Sequence, residues 1–598
     1  MNASTPIDKP QSTIETIGHK FTSLWRIGAA YAIPQWKWYL SGIIALVITN
    51  IIMLEIPQLA KSIINALSAG EALETFSSTA YTIIALGFLL VVIRTTSRVF
   101  IFWPGRTLEA AVKDDLFSHI LSIPAKFLAN FGLGDLTSRL SNDVTQLRVF
   151  FAFGALQVLN VLLMMSFTIV KMASINLVLT VLTVIPLIVM LVLTRIVMPK
   201  LYLATKEATE ATGRLTNRVT EAFVNVNIIQ SSVAIDPFVD RSAIESKSIY
   251  DANMRTVKIR NLIFPLMIIM AGISEFAILS WGGLEVIDGK LSVGDLMAFN
   301  IYVGILIFPF TSIGLILAIY QRAKPAAERL RDIALMPSES DQTRGADIHS
   351  SDSKIPLIRI ENLNFSYQSS ESILSHITAV IYPRQKIGIY GAIGSGKSTL
   401  FSLLTRLYDP PRGSIFVRGI DVLDIPPEDL RNTIGFAPQT PLLFSESIFD
   451  NLQLGFDEPI SQQRLNEAAE KAEILSEIER FPQKWDTVVG ENGVRLSGGQ
   501  KQRLALARLL LRTSQVYILD DVLSAVDHTT ERNLIKSLLE TKATLIIASH
   551  RTSILEDCDE VWILEEGRIA HRGTFQELSP LIHSMSKNID VQDSGVTP

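Results

Sequence analysis

The chain has 598 residues and a net charge of −5 at pH 7; 48% of its residues are hydrophobic, only 19% are charged, and its mean hydropathy is +0.31. This composition is too apolar for an ordinary soluble protein, and the charged residues concentrate after residue 357, so the sequence predicts a membrane half followed by a soluble half. Nucleic acid is not expected as a partner, because the sequence has no basic stripe with interleaved aromatic residues. The single cysteine, Cys558, cannot form an internal disulfide, which fits a reducing cytoplasm.

Residues 1–38 lack the basic start, short apolar run and cleavage site of a signal peptide. They are therefore predicted to form a cytoplasmic N-terminal segment. Within it, Leu24, Trp25, Ile27 and Tyr31 stand beside basic residues. This pattern predicts a short amphipathic helix that lies on the inner membrane surface.

Six apolar stretches are long enough to cross a bilayer, and they define a predicted transmembrane domain over residues 39–336. They lie at 39–59, 79–103, 153–173, 176–197, 262–286 and 296–320. Most lysines and arginines fall in the long links that follow the second and fourth stretches. By the positive-inside rule, these links and both termini are cytoplasmic, and the chain is a multi-pass protein of the cell's inner (plasma) membrane.

The two long links show helical periodicity with few apolar residues, which is typical of helices that bridge domains through solvent. Each is predicted to be a pair of helices that extends on the order of 35 Å from the membrane. The turns are expected near residues 122–134 and 228–237, where the tips could press on a soluble domain. Arg94 and Arg98, near the inner end of the second span, are expected to snorkel toward the headgroups.

Two carboxylates, Glu55 and Glu275, lie inside apolar spans, where ionisable groups are costly and are functional candidates. The direction of the first and fifth spans places both in the outer half of the membrane, where they could share a cavity. Two interpretations stay open at this point: a role in handling substrate or protons, and a structural pairing. The structural partners considered are Asn50 and Ser274.

Residues 337–356 are rich in Ser and Asp and are predicted to be a linker. From residue 357 to 580, apolar strand-like runs alternate with helical segments, at 358–360, 387–390, 516–519 and 544–548. This alternation predicts an α/β domain with a largely parallel core sheet. Residues 581–598 form a polar tail.

A glycine-rich loop follows the strand-like run that ends at Tyr390 and precedes a helix-like segment. Glycines allow backbone N–H groups to converge on phosphate oxygens, Lys397 would reach the β- and γ-phosphates, and Ser398 would bind Mg²⁺. The sequence therefore predicts a binding loop for a nucleoside triphosphate. Its residues are Gly391, Ala392, Ile393, Gly394, Ser395, Gly396, Lys397, Ser398 and Thr399.

A second apolar run, 516–519, ends in Asp520 and Asp521. In a phosphate-loop nucleotidase, the first acid at this point holds Mg²⁺ and the next can polarise the attacking water. Two acids after a strand mean little alone, but together with the loop at Gly391 they give a strong indication of nucleotide hydrolysis.

The run Leu496-Ser497-Gly498-Gly499-Gln500 resembles the signature motif of ATP-binding-cassette transporters. Other positions resemble that family in the same order along the chain. They are Tyr367 at the adenine-stacking position, Gln439, the run from Thr487 to Glu491, the run from Ser524 to Asp527, and His550. With six spans and two long cytoplasmic links, the chain resembles the exporter type, as a half-transporter of six spans and one ATP-binding domain.

This resemblance implies ATP and Mg²⁺ as ligands and a second half-transporter as partner. Ser497 and the backbone of Gly499, with Gln500 in the same motif, would close the ATP site of the opposite chain. Gln439 would sense Mg²⁺ and the water, and His550 would hold the γ-phosphate. One chain alone cannot complete a site, and ATP would join the pair through charge-assisted hydrogen bonds.

Asp521 departs from the family pattern, which usually has Glu after the metal-binding Asp. Loss of one methylene withdraws the carboxylate by roughly 1 Å, and such a misplacement can cost about 100-fold in rate. Such a substitution is seen in family members that work as heterodimers with one degenerate and one competent site, and the chain resembles that multidrug exporter branch. A heterodimer is therefore favoured, although the other motifs are intact and a slow homodimer stays open.

The leading functional hypothesis is ATP-driven export of lipophilic or amphipathic compounds from the membrane. Within transporters, the alternatives are a lipid flippase and an exporter of one dedicated peptide, the latter disfavoured by the lack of a peptidase-like N-terminal extension. In a different class, a regulator or channel would use nucleotide only as a switch. The transported compound does not follow from the sequence.

Overall fold

The structure is a computed structural model that describes residues 14–69, 73–128, 131–339, 355–367, 372–490, 496–522 and 528–593. Most of the predicted linker, the last part of the tail and the motif residues Glu491 and 524–527 lie outside these ranges. The chain divides into two compact units. The first contains the N-terminal residues up to Leu121 together with Gly132–Met336, and the second contains Ser122–Phe131 and the chain from Pro337 onward.

The first unit is helical throughout its described residues, because a helix satisfies its own backbone polar groups, as a lipid environment requires. It contains the predicted six helices long and apolar enough to cross a membrane. The helices of the unit, with those of the short segment at 122–131, are α1 Ile14–Phe21, α2 Leu24–Ile27, α3 Trp36–Ala69, α4 Leu73–Ser122, α5 Ala125–Leu128, α6 Leu133–Ser138, α7 Val144–Val149, α8 Ala155–Ile175, α9 Leu177–Val224, α10 Val226–Ser231, α11 Ile235–Arg260, α12 Ile263–Ala277, α13 Gly283–Ile287 and α14 Val293–Ala334.

Both long links are helical extensions of the spans, as predicted. Helix α4 continues past the second span to Ser122, and the chain turns between this residue and α6. Helix α9 is 48 residues long and continues past the fourth span to Val224, and the chain turns around Val233 before α11. The turns lie where the sequence places them.

The N-terminal segment packs its apolar residues against protein. Leu24, Ile27 and Tyr31 are buried in a cluster with residues of α4, α7 and α14. Trp25 alone of the four predicted residues points outward, at 75% exposure. Amphipathic spacing indicates only that one face of the helix is buried away from water, and either protein or lipid can bury it.

The second unit is an α/β domain, as predicted, with two sheets in its described residues. A four-stranded antiparallel sheet has the order β2-β1-β4-β5, and a six-stranded sheet has the order β10-β9-β3-β8-β7-β6, parallel except for β10. The strands are β1 Ile358–Phe365, β2 Leu374–Ile381, β3 Lys386–Tyr390, β4 Ile415–Val417, β5 Ile420–Asp421, β6 Ile434–Ala437, β7 Val516–Asp520, β8 Thr544–Ala548, β9 Glu560–Glu565 and β10 Arg568–Gly573.

Helices cover the larger sheet and complete two apolar cores. They are α15 Lys397–Leu404, α16 Pro427–Thr433, α17 Ile448–Gln453, α18 Gln462–Lys471, α19 Leu475–Arg480, α20 Gly498–Leu511, α21 His528–Leu539, α22 Thr552–Leu555 and α23 Phe575–Asp593. The central strands β3, β7 and β8 are almost wholly buried, which explains their continuous apolar sequences. The run at 358–360 belongs instead to the antiparallel sheet.

Glu109 joins α4 to α7. Its carboxylate contacts Arg148 of α7 at 3.0 Å, Lys113 at 3.0 Å and Arg106 at 3.3 Å, and its side chain is only 11% exposed. Burial alone would raise the pKa of Glu109, but the hydrogen bond from Lys113 and the surrounding cations outweigh it and hold the pKa below its usual range. The ionised carboxylate therefore stabilises the folded chain.

Glu109→Gln is expected to lower the free energy of unfolding at neutral pH by about 1–3 kcal/mol, because Lys113 and Arg148 lose a buried, charged acceptor. A depressed folded-state pKa contributes stability that is complete above the unfolded value of about 4.3 and is lost as the pH falls through the folded value. The gap between wild type and variant should therefore close in that acidic window. Unfolding in detergent, followed by tryptophan fluorescence from pH 7 downward, measures it.

Asp114→Asn is the matched control, since Asp114 is an exposed acid on the same helix. It should leave stability unchanged at every pH. A gap for Glu109→Gln that stays constant down to strongly acidic pH would contradict the assigned role of the charge.

Candidate functional site

The phosphate loop lies at the carboxyl end of β3, between Tyr390 and the first residue of α15. Gly394 and Gly396 have φ values of +82° and +101°, which side-chain-bearing residues rarely adopt. A Cβ at Gly391 would lie 2.5 Å from the carbonyl oxygen of Leu564, so this position also requires glycine. The loop is therefore built for close backbone approach, as its sequence predicts.

Lys397 and Ser398 begin α15, where they are expected to bind phosphate and Mg²⁺ respectively. The Lys397 Nζ donates to the carbonyl oxygens of Gly391 at 2.6 Å and Ala392 at 2.9 Å, so the ammonium lies across the loop. Burial lowers the pKa of Lys397, although Asp520 and Asp521 oppose this shift. A loop of this shape, with a cation across it, suits a triphosphate.

The residues fit Mg²⁺. The Ser398 hydroxyl donates to Asp520 Oδ2 at 2.7 Å, so two hard oxygen ligands lie as close together as neighbouring ligands of one octahedral ion. Among the described residues, no group of three or more His, Cys, Asp or Glu side chains could hold a metal.

The parallel register brings the remaining predicted groups to the same edge of the sheet. Ala548, at the end of β8, pairs with Ile389 of β3 on one side and with Asp520 of β7 on the other. His550 follows two residues later, and its ring lies 6.1 Å from the ring of Tyr390.

Gln439 belongs to the same edge. It follows β6, whose last residue, Ala437, pairs with Leu519 of β7, and its side chain is exposed to solvent. Exposure leaves its amide available to a nucleotide-bound water or ion.

Asp521 and His550 each affect the pKa of the other. Burial raises the pKa of Asp521, and the neighbouring His550 opposes that shift. Burial also lowers the pKa of His550, and Lys397 adds to the effect. His550 is therefore neutral at physiological pH and can donate one N–H while its other nitrogen accepts.

The backbone of Asp521 is unusual, because its φ of +47° lies in the left-handed region. Its N–H donates to the carbonyl oxygen of Ala548 at 3.0 Å, which fixes the turn directly after β7. The carboxylate thus leaves the sheet edge at an angle set by the backbone.

Tyr367 contacts the phosphate-loop helix. Its hydroxyl donates to Thr399 Oγ1 at 3.4 Å, and its ring packs edge-to-face against Tyr408 at 4.9 Å and Phe365 at 5.2 Å. These neighbours hold an aromatic face beside the loop, where a base could stack.

The signature motif begins α20, a different helix from the one that follows the phosphate loop. Ser497 and Gln500 form a capping box, in which the Gln500 N–H donates to Ser497 Oγ at 3.2 Å and the Ser497 N–H donates to Gln500 Oε1 at 2.8 Å. Gly499 is buried. In the described residues no hydrogen bond joins this motif to the phosphate loop.

Glu477 anchors the signature motif and was missed by sequence reasoning. Its carboxylate accepts from Gln500 Nε2 and from Arg503 Nη2, both at 2.7 Å. Arg503 also donates to the carbonyl oxygen of Glu473 at 2.8 Å. The only sequence signal was the spacing of Gln500 and Arg503, which places two donors on one helix face.

The two membrane carboxylates have separate partners. Glu55 of α3 forms an ion pair with Lys171 of α8 at 2.8 Å, and Glu275 of α12 accepts from Asn300 of α14 at 3.4 Å. Neither uses the partner considered from sequence. Ser274 donates instead to the Thr183 carbonyl, and Asn50 donates to the Leu46 carbonyl and to Asn160.

Known proteins share this architecture. The family model for the ABC transporter transmembrane region matches residues 39–310, and the model for the ABC transporter domain matches residues 374–524. The probable multidrug resistance ABC transporter ATP-binding/permease protein YheI of Bacillus subtilis is 31% identical over 93% of this chain and 95% of its own length. The chain belongs to the ATP-binding-cassette exporters.

Two further relatives of this exporter extend the comparison. The lactococcin-G-processing and transport ATP-binding protein LagD of Lactococcus lactis is 28% identical over 88% of the chain and 72% of its own length. A solved structure of a bacterial Atm1-family ABC exporter with ATP bound has a TM-score of 0.80, at 23% identity, over 92% of this chain and 99% of that one, which is a likeness of fold. The exporter is thus a multi-pass half-transporter that couples ATP hydrolysis to transport, and such exporters act as dimers.

Glu477→Ala is expected to lower the ATPase rate of the assembled exporter about tenfold, which corresponds to a loss of about 1.4 kcal/mol in transition-state stabilisation. Gln500 and Arg503 lose a shared charged acceptor, and the first turn of α20 loses its anchor. ATP binding at the phosphate loop should stay near wild type. Steady-state ATP hydrolysis and the binding of a fluorescent ATP analogue measure the two effects.

Glu479→Ala is the control, since Glu479 lies on the same helix and is exposed. It should hydrolyse ATP at the wild-type rate. Equal rates for the Glu477 and Glu479 variants would show that the anchor is dispensable.

Proposed function

We propose that this chain is one half of a heterodimeric exporter that moves lipophilic or amphipathic compounds out of the cell's inner (plasma) membrane, with both termini in the cytoplasm. The observation that carries the heterodimer is Asp521, where the family usually has Glu. The named multidrug-resistance relative supports the substrate class. The alternation of short and basic long links supports the orientation.

Each residue of the ATP site has a proposed role. Lys397 binds the β- and γ-phosphates, Ser398 and Asp520 would hold Mg²⁺, and Tyr367 stacks on the adenine. Held by these two residues, Mg²⁺ would supply positive charge against the charge that develops on the phosphates. His550, neutral in this environment, holds the γ-phosphate through its N–H, and Gln439 orients the water.

The signature motif acts on the opposite chain. Ser497 Oγ accepts from the Gln500 N–H, so its own hydroxyl proton is free to donate to a γ-phosphate oxygen. The buried Gly499 allows the backbone to approach the phosphate. In a heterodimer, this motif completes the competent site on the partner's phosphate loop, while the site that contains Asp521 turns over slowly.

Three alternatives stay open, and specific observations favour two of them. The similarity to LagD, which is named for lactococcin-G processing and transport, favours a dedicated peptide exporter as a second candidate, beside a lipid flippase. The shortened carboxylate at Asp521 keeps a nucleotide-gated regulator or channel as a candidate from another class. Uptake into inside-out vesicles separates these classes, because accumulation of a lipophilic dye against its gradient excludes a channel.

The purified chain alone is expected to bind ATP but to hydrolyse it about 100-fold more slowly than ordinary exporters, because the Asp521 carboxylate is withdrawn from the attacking water. Asp521→Glu should raise the rate, and Asp521→Asn should change it little. Phosphate release at saturating ATP measures all three. An ordinary exporter rate that Asp521→Asn abolishes would rule out the degenerate site and favour a homodimer.

Glu275→Gln is expected to slow dye uptake by inside-out vesicles several-fold and to remove part of its pH dependence, because the amide cannot carry charge or a transferable proton. ATP hydrolysis should change less than uptake. Asp288→Asn, at an exposed acid outside the span, is the control. Uptake by the Glu275 variant that equals wild type at every pH would assign Glu275 a structural role.

A further inference from the structure

His550 stands on a short segment between β8 and α22, and its imidazole is exposed. Within the described ranges, no hydrogen bond holds the ring, and its aromatic contact is with Tyr390, at 6.1 Å between ring centroids. A group that binds a phosphate must be aimed before the phosphate arrives. The direction of this imidazole therefore depends on how the backbone on either side of it is held.

The sheet holds the side of the segment that precedes His550. Ser549 is buried, and its N–H donates to the carbonyl oxygen of Ile389 in β3 at 3.2 Å. Its hydroxyl accepts from the Arg551 N–H at 3.0 Å, so the residues before and after His550 are joined to one another. These two bonds fix the start of the segment against β3.

Glu531 holds the other side of the segment from a separate helix. Its carboxylate lies in the first turn of α21, where the helix dipole stabilises negative charge, and it is only 2% exposed. It accepts from Arg551 Nη1 and from Ser553 Oγ, the latter at 2.9 Å. One buried carboxylate therefore contacts the residues one and three positions after His550.

The charge at Glu531 adds direction to contacts that are already apolar. Leu534 of α21 and Ile554 of α22 belong to one core, so the two helices are held together without an ion pair. A buried ion pair loses much of its Coulomb energy to desolvation, and apolar residues of similar volume often stabilise a protein as well. Apolar packing sets a distance, whereas hydrogen bonds between defined atoms also set an angle.

We propose that Glu531 is a positioning residue for the γ-phosphate, which acts through Arg551 and Ser553 to fix the turn that carries His550. The inference rests on the proposed role of His550 as the group that holds the γ-phosphate. It is independent of the heterodimer and of the hydrolysis rate at Asp521, because it concerns nucleotide binding. All of its contacts lie inside the second unit, so they do not depend on the partner chain.

The test compares two nucleotides that differ in the γ-phosphate. The purified full-length chain in nanodiscs is titrated with Mg²⁺ and either adenylyl imidodiphosphate, a non-hydrolysable ATP analogue, or ADP, by displacement of a fluorescent nucleotide. Wild type is expected to bind the analogue more tightly than ADP. Glu531→Gln should lower this preference about fivefold and leave the affinity for ADP unchanged, because Arg551 loses its charged acceptor.

His550→Ala decides whether Glu531 acts through the imidazole. In that background, Glu531→Gln should cause no further loss of preference, since the group that it positions is gone. Ser553→Ala keeps the ion pair and should lower the preference about twofold. This milder variant carries the test if Glu531→Gln loses both nucleotides through misfolding.

Glu540→Gln is the matched control and should keep the wild-type preference, because Glu540 is an exposed acid just beyond the end of α21. An equal loss from Glu531→Gln with and without His550 would overturn the inference. The two possible failures are distinct. A wild-type preference in His550→Ala would remove the proposed role of His550 and the inference with it, whereas a loss in His550→Ala with none in Glu531→Gln would remove the inference alone.

Discussion

The parallel register of β3, β8, β7 and β6 is the constraint on which the ATP site depends. Because the strands run in the same direction, their carboxyl ends meet at one edge of the sheet, and everything that follows a strand is delivered there. The phosphate loop follows β3, Asp520 ends β7, and His550 follows β8. The hydrogen bond between Ser398 and Asp520 is a direct result of this register.

The packing of the second unit is consistent with the proposal that a single chain holds half of a site. The signature motif begins α20, whose buried face packs into the second apolar core with α17, α18 and α21, whereas the phosphate loop and α15 belong to the first core. The phosphate loop and the signature motif are therefore each supported by a separate apolar core. In the proposed dimer, the two halves would close on a nucleotide by association, with phosphate contacts supplying the free energy.

Local features could be predicted from the sequence, and long-range pairings could not. The phosphate loop depends on glycines at fixed spacing, so the sequence at Gly394 and Gly396 directly predicts the positive φ values found there. The partner of Glu55 is Lys171, more than one hundred residues away, and no periodicity in either segment records that contact. The anchor formed by Glu477 was missed for the same reason.

Other patterns in the sequence are ambiguous. The run at 358–360 looks like any buried strand, but its place in a sheet is decided by which strands pair with it. The N-terminal amphipathic segment is equally suited to lipid and to protein, and the presence of α4 and α14 beside it decides the outcome.

The left-handed backbone at Asp521 provides a conformational reason for aspartate at this position. Aspartate and asparagine occupy this region at less cost than longer side chains, because their short polar groups can bond to the nearby backbone. A glutamate here gains reach at the expense of local backbone strain, of the kind that active sites store. In the proposed heterodimer a partner chain would supply the hydrolysis, nothing would maintain that strain, and the sequence would be free to relax to the residue that the turn prefers. The proposed degeneracy of one ATP site would then be a gain in folding stability as well as a loss of chemistry.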